Sequence, residues 1–203
     1  GEASLEKSIN QLGYSLDEVT DVILSHLHFD HCGGAIWKNE NGAYSPAFKN
    51  ATYWSNEKHW EWATKPNARE KASFLKENIL PIQESGQLKF TNDGSTEVNP
   101  NITLKTVSGH TESMFTPLIN KGSKTIVYCA DLIPSMAHIP IPYVMAYDTR
   151  PLLTLDEKQK FLTEAVTNNY YLFFEHDRVN ELCSLKQTER GVRENEVMKL
   201  SEL

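Results

Sequence analysis

The chain is poor in cysteine, has no long apolar run and carries no surplus of positive charge, and each shortage excludes a class of protein. Its three cysteines, Cys32, Cys129 and Cys183, are odd in number and far apart, so they form neither a disulfide framework nor a Cys-x-x-Cys metal motif. A reducing, cytoplasmic setting is expected. The glycosylation sequons at Asn50-Ala51-Thr52 and Asn101-Ile102-Thr103 carry no weight without a secretory signal. No apolar stretch approaches the roughly 20 residues of a membrane span, and the first residues show no signal-peptide pattern; a signal upstream of Gly1 stays open. A net charge of −7 argues against a broad electrostatic grip on nucleic acid or anionic membrane. The expected partner is a small-molecule substrate, with a homodimer left open. With 39% apolar and 23% charged residues over 203 positions, one globular domain spanning 1–203 is expected.

What the chain does have is histidine in one place. Three of its seven histidines fall within His26-Leu27-His28-Phe29-Asp30-His31, directly after the short, β-branched run Asp21-Val22-Ile23-Leu24, which reads as a buried strand. On an extended continuation His26 and His28 point the same way. Asp30 and His31 then fall where the chain turns, with Gly33-Gly34 expected to let the backbone leave at an unusual angle. Three imidazoles and a carboxylate this close are enough for halves of two adjacent metal sites.

Around this stretch the pattern alternates between helices and strands. Leu5, Ile9 and Leu12 have helical spacing up to a stop at Gly13, and Ser15-Leu16-Asp17-Glu18 reads as a capped turn. The segment from Gly34 to Asn50 is turn-rich, Ala51 to Trp54 resembles a strand, and Ser55 is placed to cap a helix. A helical excursion is expected over 55–80, with near-helical spacing from Asn67 to Ile79 ending at Pro81. Its tryptophans Trp54, Trp60 and Trp62 read as packing in preference to a substrate-pocket wall, and His59 as a structural or surface histidine. From Gln87 onward the chain is β-rich: 87–90, 102–107, 115–120 and 125–129 all read as strands, punctuated by Gly94 and Gly122. A proline-rich loop, 134–142, is long enough to cover a site. Leu155 to Val166 reads as an amphipathic helix capped by Thr154, Tyr170 to Phe174 and Leu182 to Lys186 as strands, and the charged end from Glu189 as a solvated face or frayed helix.

Four strand-like runs end in histidine or aspartate: at residues 26–31, at His110, at Asp131 and at His176. Ligands at strand ends converge on one edge of a sheet, which is how a rigid scaffold builds a site from distant residues. With its full His-x-His-x-Asp-His element at 26–31, the sequence resembles the metallo-β-lactamase superfamily, over the span from the motif to about residue 177. The resemblance implies an α/β fold of the αββα sandwich type. It implies a dinuclear centre with His26, His28 and His110 on one metal, Asp30, His31 and His176 on the other, and Asp131 bridging. Zinc is the default for such histidine-rich ligands, with iron, manganese or cobalt also compatible. Two dications within about 4 Å of one another lower the pKa of a shared water and polarise a carbonyl or phosphoryl oxygen. Asp30 is then placed to orient that hydroxide or shuttle its proton.

Within the superfamily the sequence looks most like the YtnP-type quorum-quenching N-acyl homoserine lactonases, through Ala130-Asp131-Leu132-Ile133-Pro134, the loop to Asp148, and Phe173-Phe174-Glu175-His176-Asp177. The implied activity is lactone ring opening by a metal-bridging hydroxide. A phosphotriesterase or aryl esterase of the methyl parathion hydrolase type, and a non-catalytic metal-binding protein, are the alternatives. The best-known lactonases place a tyrosine three residues after the bridging aspartate, where this chain has Pro134, so the general acid is sought among His138, Tyr143 and Tyr147. Family members also begin with several strands and an Asp-x-Gly element before the histidine motif. Only 25 residues precede His26 here, so a chain lacking its N-terminal strands is expected.

Overall fold

The computed structural model describes residues 4–92 and 94–203 and divides into two compact units, Gly1–Asn92 and Asp93–Leu203. The first unit opens with α1, Leu5–Gln11, whose N-cap Ser4 accepts a hydrogen bond from the Lys7 amide at 3.2 Å. It closes at Gly13, where φ of +86° is a turn glycine can take without strain. A 3-10 turn at Leu16–Glu18, boxed by Glu18 accepting from the Ser15 amide at 2.8 Å, leads into β1, Asp21–Ile23. The histidine motif follows, and its second half is the one-turn helix α2, Phe29–Cys32. Gly33 has φ of −61°, so no unusual backbone angle leaves the motif. Space is what Gly33 supplies, since a Cβ there would lie 3.2 Å from Asn78 Nδ2.

The turn-rich stretch contains a hairpin, β2 (Ile36–Lys38) against β3 (Tyr44–Pro46). Gly42 at φ +82° and the Asn39 side chain, which accepts from the Ala43 amide at 2.9 Å, shape its turn. Next come β4 (Thr52–Asn56), α3 (Glu57–Thr64), α4 (Lys76–Glu84) and β5 (Leu88–Thr91). Asn56, not Ser55, caps α3, because Ser55 still belongs to β4 and pairs with Phe90. Pro81 does not end its helix either: α4 starts only at Lys76 and carries Pro81 inside it, with Ile79, Pro81 and Ile82 buried. That burial offsets the missing backbone donor. Among the described residues β1, β4 and β5 form a parallel sheet of three strands with β4 central. Leu27, Tyr53, Trp60, Phe74 and Ile82 fill its core, so Trp60 is packing, as expected.

The second unit is built on one mixed sheet. Its elements are β6 (Ser95–Asn99), β7 (Ile102–Val107), β8 (Met114–Lys121), β9 (Lys124–Tyr128), α5 (Pro151–Thr167), β10 (Tyr171–Phe173), β11 (Leu182–Thr188) and β12 (Gly191–Met198). The strand order is β12-β11-β10-β9-β8-β7-β6. Among the described residues of this sheet only β9 and β10 pair in parallel, and α5 is the crossover between them, as a parallel connection requires. α5 begins at Pro151, whose fixed φ suits a first helical position, so Thr154 lies inside the helix and is buried instead of capping it. The charged tail is not a helix or a loose face. Gly191 at φ +90° turns the chain so that β12 pairs antiparallel with β11, Val192 is buried, and its acidic residues fall on an edge strand. Met114, Val127, Ile133, Leu162 and Leu172 form the core.

This topology sends three strand ends to one edge. β7 and β9 run the same way because each is antiparallel to β8, and β10 is parallel to β9 with Phe173 opposite Tyr128. His110, Asp131 and His176 each stand three residues beyond the last residue of their strand, Val107, Tyr128 and Phe173. β9 and β10 end level, whereas β7 runs three residues further, its Leu104 lying level with Tyr128, and the loops after the three strands bring the side chains to one place.

Candidate functional site

In the first unit the motif's geometry comes almost entirely from local backbone. The Leu24 amide still donates to the Trp54 carbonyl at 3.2 Å, residues 25–28 then bend away from the strand, and His28 is the extended N-cap of α2 (ψ 147°). Leu27 goes fully into the core while its histidine neighbours cluster: the His26 ring lies 4.7 Å from that of His28 and 3.9 Å from that of His31. Asp30, on the exposed side of the helical turn, has Oδ2 3.5 Å from His31 Nε2. Two braces come from later in the unit. His59 is buried, and its Nε2 accepts from the Leu27 amide at 2.8 Å, a structural task. Glu70 sets Oε1 3.5 Å from His28 Nε2, while its Oε2 accepts from Trp62 Nε1 and Asn67 Nδ2, each at 2.7 Å. Burial pushes the Cys32 thiol up to about 12, a backbone hydrogen bond opposing only partly; it is a protonated core thiol bonded to the Leu27 carbonyl at 3.3 Å.

In the second unit Asp131 is the meeting point. Its Oδ2 is 3.0 Å from His110 Nε2 and its Oδ1 3.3 Å from His176 Nε2, so one carboxylate faces one imidazole with each oxygen. Ala130, just before it, is held at φ +44°, a left-handed conformation that costs a non-glycine residue about 1 kcal/mol. Behind His110 stands buried Asp148, whose Oδ1 lies 3.0 Å from Nδ1. A carboxylate that accepts from one ring N–H fixes the tautomer and turns the lone pair of the other nitrogen outward, the arrangement that supports metal-ligating histidines. Burial works to lower the pKa of His110, but hydrogen bonds and charges from Asp131 and Asp148 outweigh it and lift the value to about 9. Glu175 completes the group, with a carboxylate oxygen within 4.8 Å of Asp131 and His176 ligand atoms.

α5 fixes this arrangement. Glu157 accepts from the Ser108 amide at 2.7 Å and the Gly109 amide at 2.8 Å, one carboxylate oxygen to each. Arg150 Nη1 donates to the Ser108 carbonyl at 2.7 Å, and the Thr149 amide to the His110 carbonyl at 3.0 Å. The helix comes so close that a Cβ on Gly109 would meet Thr154 atoms at 2.4–2.6 Å, so only glycine fits. One turn on, Lys158 is fully buried and its Nζ donates to carbonyls of the proline-rich loop. Burial lowers its pKa to about 8 against the pull of Asp148, which leaves it charged at pH 7.

The loop candidates fall beside His176. His138 and Tyr147 line a cavity of about 370 Å³ together with Pro134, Ser135, Met145 and His176. His138 Nδ1 is 2.8 Å from Ser135 Oγ, and burial followed by the Lys158 charge holds its pKa below the ordinary histidine value. Tyr147 is exposed, with its ring centroid 6.3 Å from that of His110. Tyr143 is exposed and does not line this cavity. Asp148, Glu157, Lys158 and Glu70 were not singled out in the sequence. One signal for Lys158 was available: it interrupts the apolar stripe of an otherwise amphipathic helix.

The donor chemistry fits divalent metal in each unit: clustered imidazoles with a carboxylate in the first, and a carboxylate shared by two imidazoles, one of them braced by Asp148, in the second. Comparison with known proteins points the same way. The model of the Metallo-beta-lactamase superfamily matches residues 1–176, and the chain belongs to that superfamily. Its mixed helix-and-sheet fold is that of solved members. A probable metal-dependent hydrolase from Staphylococcus aureus superposes with a TM-score of 0.82 at 23% identity, over 91% of this chain and 64% of that one. AidC, a dizinc quorum-quenching lactonase solved with its product N-hexanoyl-L-homoserine, superposes with a TM-score of 0.76 at 24% identity, over 96% and 70%. Among curated proteins, the N-acyl homoserine lactonase AiiA of Bacillus thuringiensis subsp. kurstaki is 26% identical over 174 residues, 83% of this chain and 60% of the relative. The chain therefore spans about 60% of the length of the curated relatives it matches. Among the described residues no helix is long and apolar enough to cross a membrane.

Proposed function

We propose that this chain carries the dinuclear metal centre of a hydrolase that opens N-acyl homoserine lactones. The reading rests chiefly on one observation: a superfamily member with the full His26-to-His31 motif also sets Asp131 between His110 and His176, with Asp148 behind His110. By the family resemblance, His26, His28 and His110 would hold one metal and Asp30, His31 and His176 the other, with Asp131 as the shared carboxylate. Zinc suits the imidazole-rich donor set. Bound divalent ions supply Lewis-acid polarisation of a carbonyl oxygen and a lowered pKa for water.

The remaining work belongs to this chain's own residues. Asp148 keeps the His110 tautomer that offers Nε2 to the centre. Asp30, on an exposed helical turn, holds or moves the proton of the attacking water. His138, its pKa held below the ordinary histidine value and its Nδ1 tied to Ser135, and Tyr147 line the cavity beside His176. Either can hydrogen-bond the lactone oxygen that leaves as an alcohol.

The test is an assay of the metal-loaded protein on N-hexanoyl homoserine lactone, an aryl acetate and a phosphotriester. Lactone turnover at least tenfold above the other two supports the reading. Preference for the phosphotriester or the ester replaces it with the methyl parathion hydrolase-like alternative, and tight metal binding without turnover replaces it with a non-catalytic metal protein.

A further inference from the structure

The buried side of α5 runs Thr154, Lys158, Phe161, Leu162 and Ala165, so a lysine occupies a position where the 3.6-residue period calls for an apolar side chain. Lys158 is fully buried. Its Nζ donates to the carbonyls of His138 at 2.6 Å, Tyr143 at 2.7 Å and Pro140 at 3.0 Å, with that of Ile141 at 3.4 Å. An ammonium has three N–H donors, and three short bonds use all of them.

Of the carbonyls it grips, that of Pro140 also accepts from the Tyr143 amide at 3.0 Å, while those of His138 and Tyr143 take the shorter bonds from the lysine. Pro134, Pro140 and Pro142 offer no amide hydrogen, and beyond the 3-10 turn Met136–His138 the segment has no regular structure before α5. A backbone carbonyl buried without a donor is costly, and charge-assisted hydrogen bonds are the stronger kind. The same loop supplies the cavity wall: Pro134, Ser135, His138, Val144, Met145 and Tyr147 all line the space beside His176.

We propose that Lys158 is a positioning residue: its ammonium, gripped by the carbonyls of His138, Pro140 and Tyr143, moulds the 134–148 loop into the wall of the substrate cavity and so governs substrate fit. The side chain works as a tethered cation at the centre of a carbonyl cage. Its influence on turnover rests on the proposed hydrolase activity; its influence on the loop does not.

Hydrogen exchange of amides 136–147 is measured in the full chain and in Lys158→Met, with steady-state kinetics on N-hexanoyl homoserine lactone alongside. Loop exchange should accelerate about tenfold or more while β7 and β8 stay protected, and KM should rise about tenfold with kcat within threefold. Lys158→Ala with added n-propylammonium, which replaces the deleted atoms and charge, should recover loop protection, whereas n-propanol should not. Unchanged loop exchange in Lys158→Met overturns the proposal, as does equal recovery with propanol, which would make the role packing alone. Should Lys158→Met fail to fold, Lys158→Ala decides: recovery with propylammonium supports the cage, and no recovery overturns it. Should the wild type leave the lactone uncut, the exchange measurements alone decide, so failure of the lactonase reading is not mistaken for failure of this one.

Discussion

The two units present their candidate ligands by opposite means. In the first, four donors lie within six consecutive residues, and the braces are two side chains, His59 and Glu70. In the second, three donors come from three strand ends, and one helix supplies most of the bracing through Arg150, Glu157 and Lys158. A contiguous motif takes its geometry from the backbone it sits on. A dispersed set depends on sheet register and on long-range contacts that hold each loop, so disturbing the support should harm the second unit more than the first.

The largest expected effect is that of Asp131→Ala, which removes the carboxylate shared by His110 and His176. The proposed lactone hydrolysis should fall on the order of 10³-fold, beyond the 10–100-fold typical of losing a residue that only supports a ligand; steady-state kinetics within tenfold of wild type would remove Asp131 from the centre of the second set. Asp148→Asn should follow, weakening metal affinity about 10–100-fold in a chelator competition. It should also lower the pKa of His110 in the metal-free protein. There the paired His110 contributes stability fully below its ordinary 6.5, and the contribution is lost as pH rises through about 9. Denaturant melts across that window should show the upper limit move down in Asp148→Asn.

Gly109→Ala sharpens the contrast between units. Its new Cβ would sit 2.4–2.6 Å from Thr154, and forcing α5 away should cost about 1–3 kcal/mol. Gly34→Ala in the first unit, where the nearest atom is a Leu5 methyl at 3.6 Å, should stay within about 0.5 kcal/mol in the same melts. His59→Ala, which strips the acceptor from the buried Leu27 amide, should cost about 1 kcal/mol. Calorimetry should show that loss, and metal analysis should find the metal content close to wild type. The smallest effect is expected at Asp177. Burial raises its pKa, but hydrogen bonds from Asn180, Val179 and Met136 outweigh that and hold it below the usual carboxylate value. Its contribution is therefore present above the ordinary carboxylate pKa and lost as pH falls through the lowered one, and Asp177→Asn should flatten the acid limb of the melt slightly.

What could be read in the sequence follows the same division. The histidine motif was legible because three histidines and an aspartate in six residues need no tertiary information. The strand ends at His110, Asp131 and His176 were legible because the runs before them are short and rich in β-branched residues or, before His176, in aromatic ones. Their supports were not: Asp148, Glu157 and Lys158 act across 38, 48 and 20 residues of chain, and nothing local distinguishes them from surface charges. The hairpin of β2 and β3 and the edge strand β12 were missed because polar, charged residues mask their period of two. α4 was placed too early because its proline was read as a stop, whereas burial of its isoleucines outweighs one lost hydrogen bond.

The most direct test is elemental analysis of the purified chain, wild type beside Asp131→Ala. The proposed dinuclear centre predicts two divalent ions per wild-type chain and loss of both in the variant; fewer than one ion per wild-type chain, or two retained without Asp131, would contradict it.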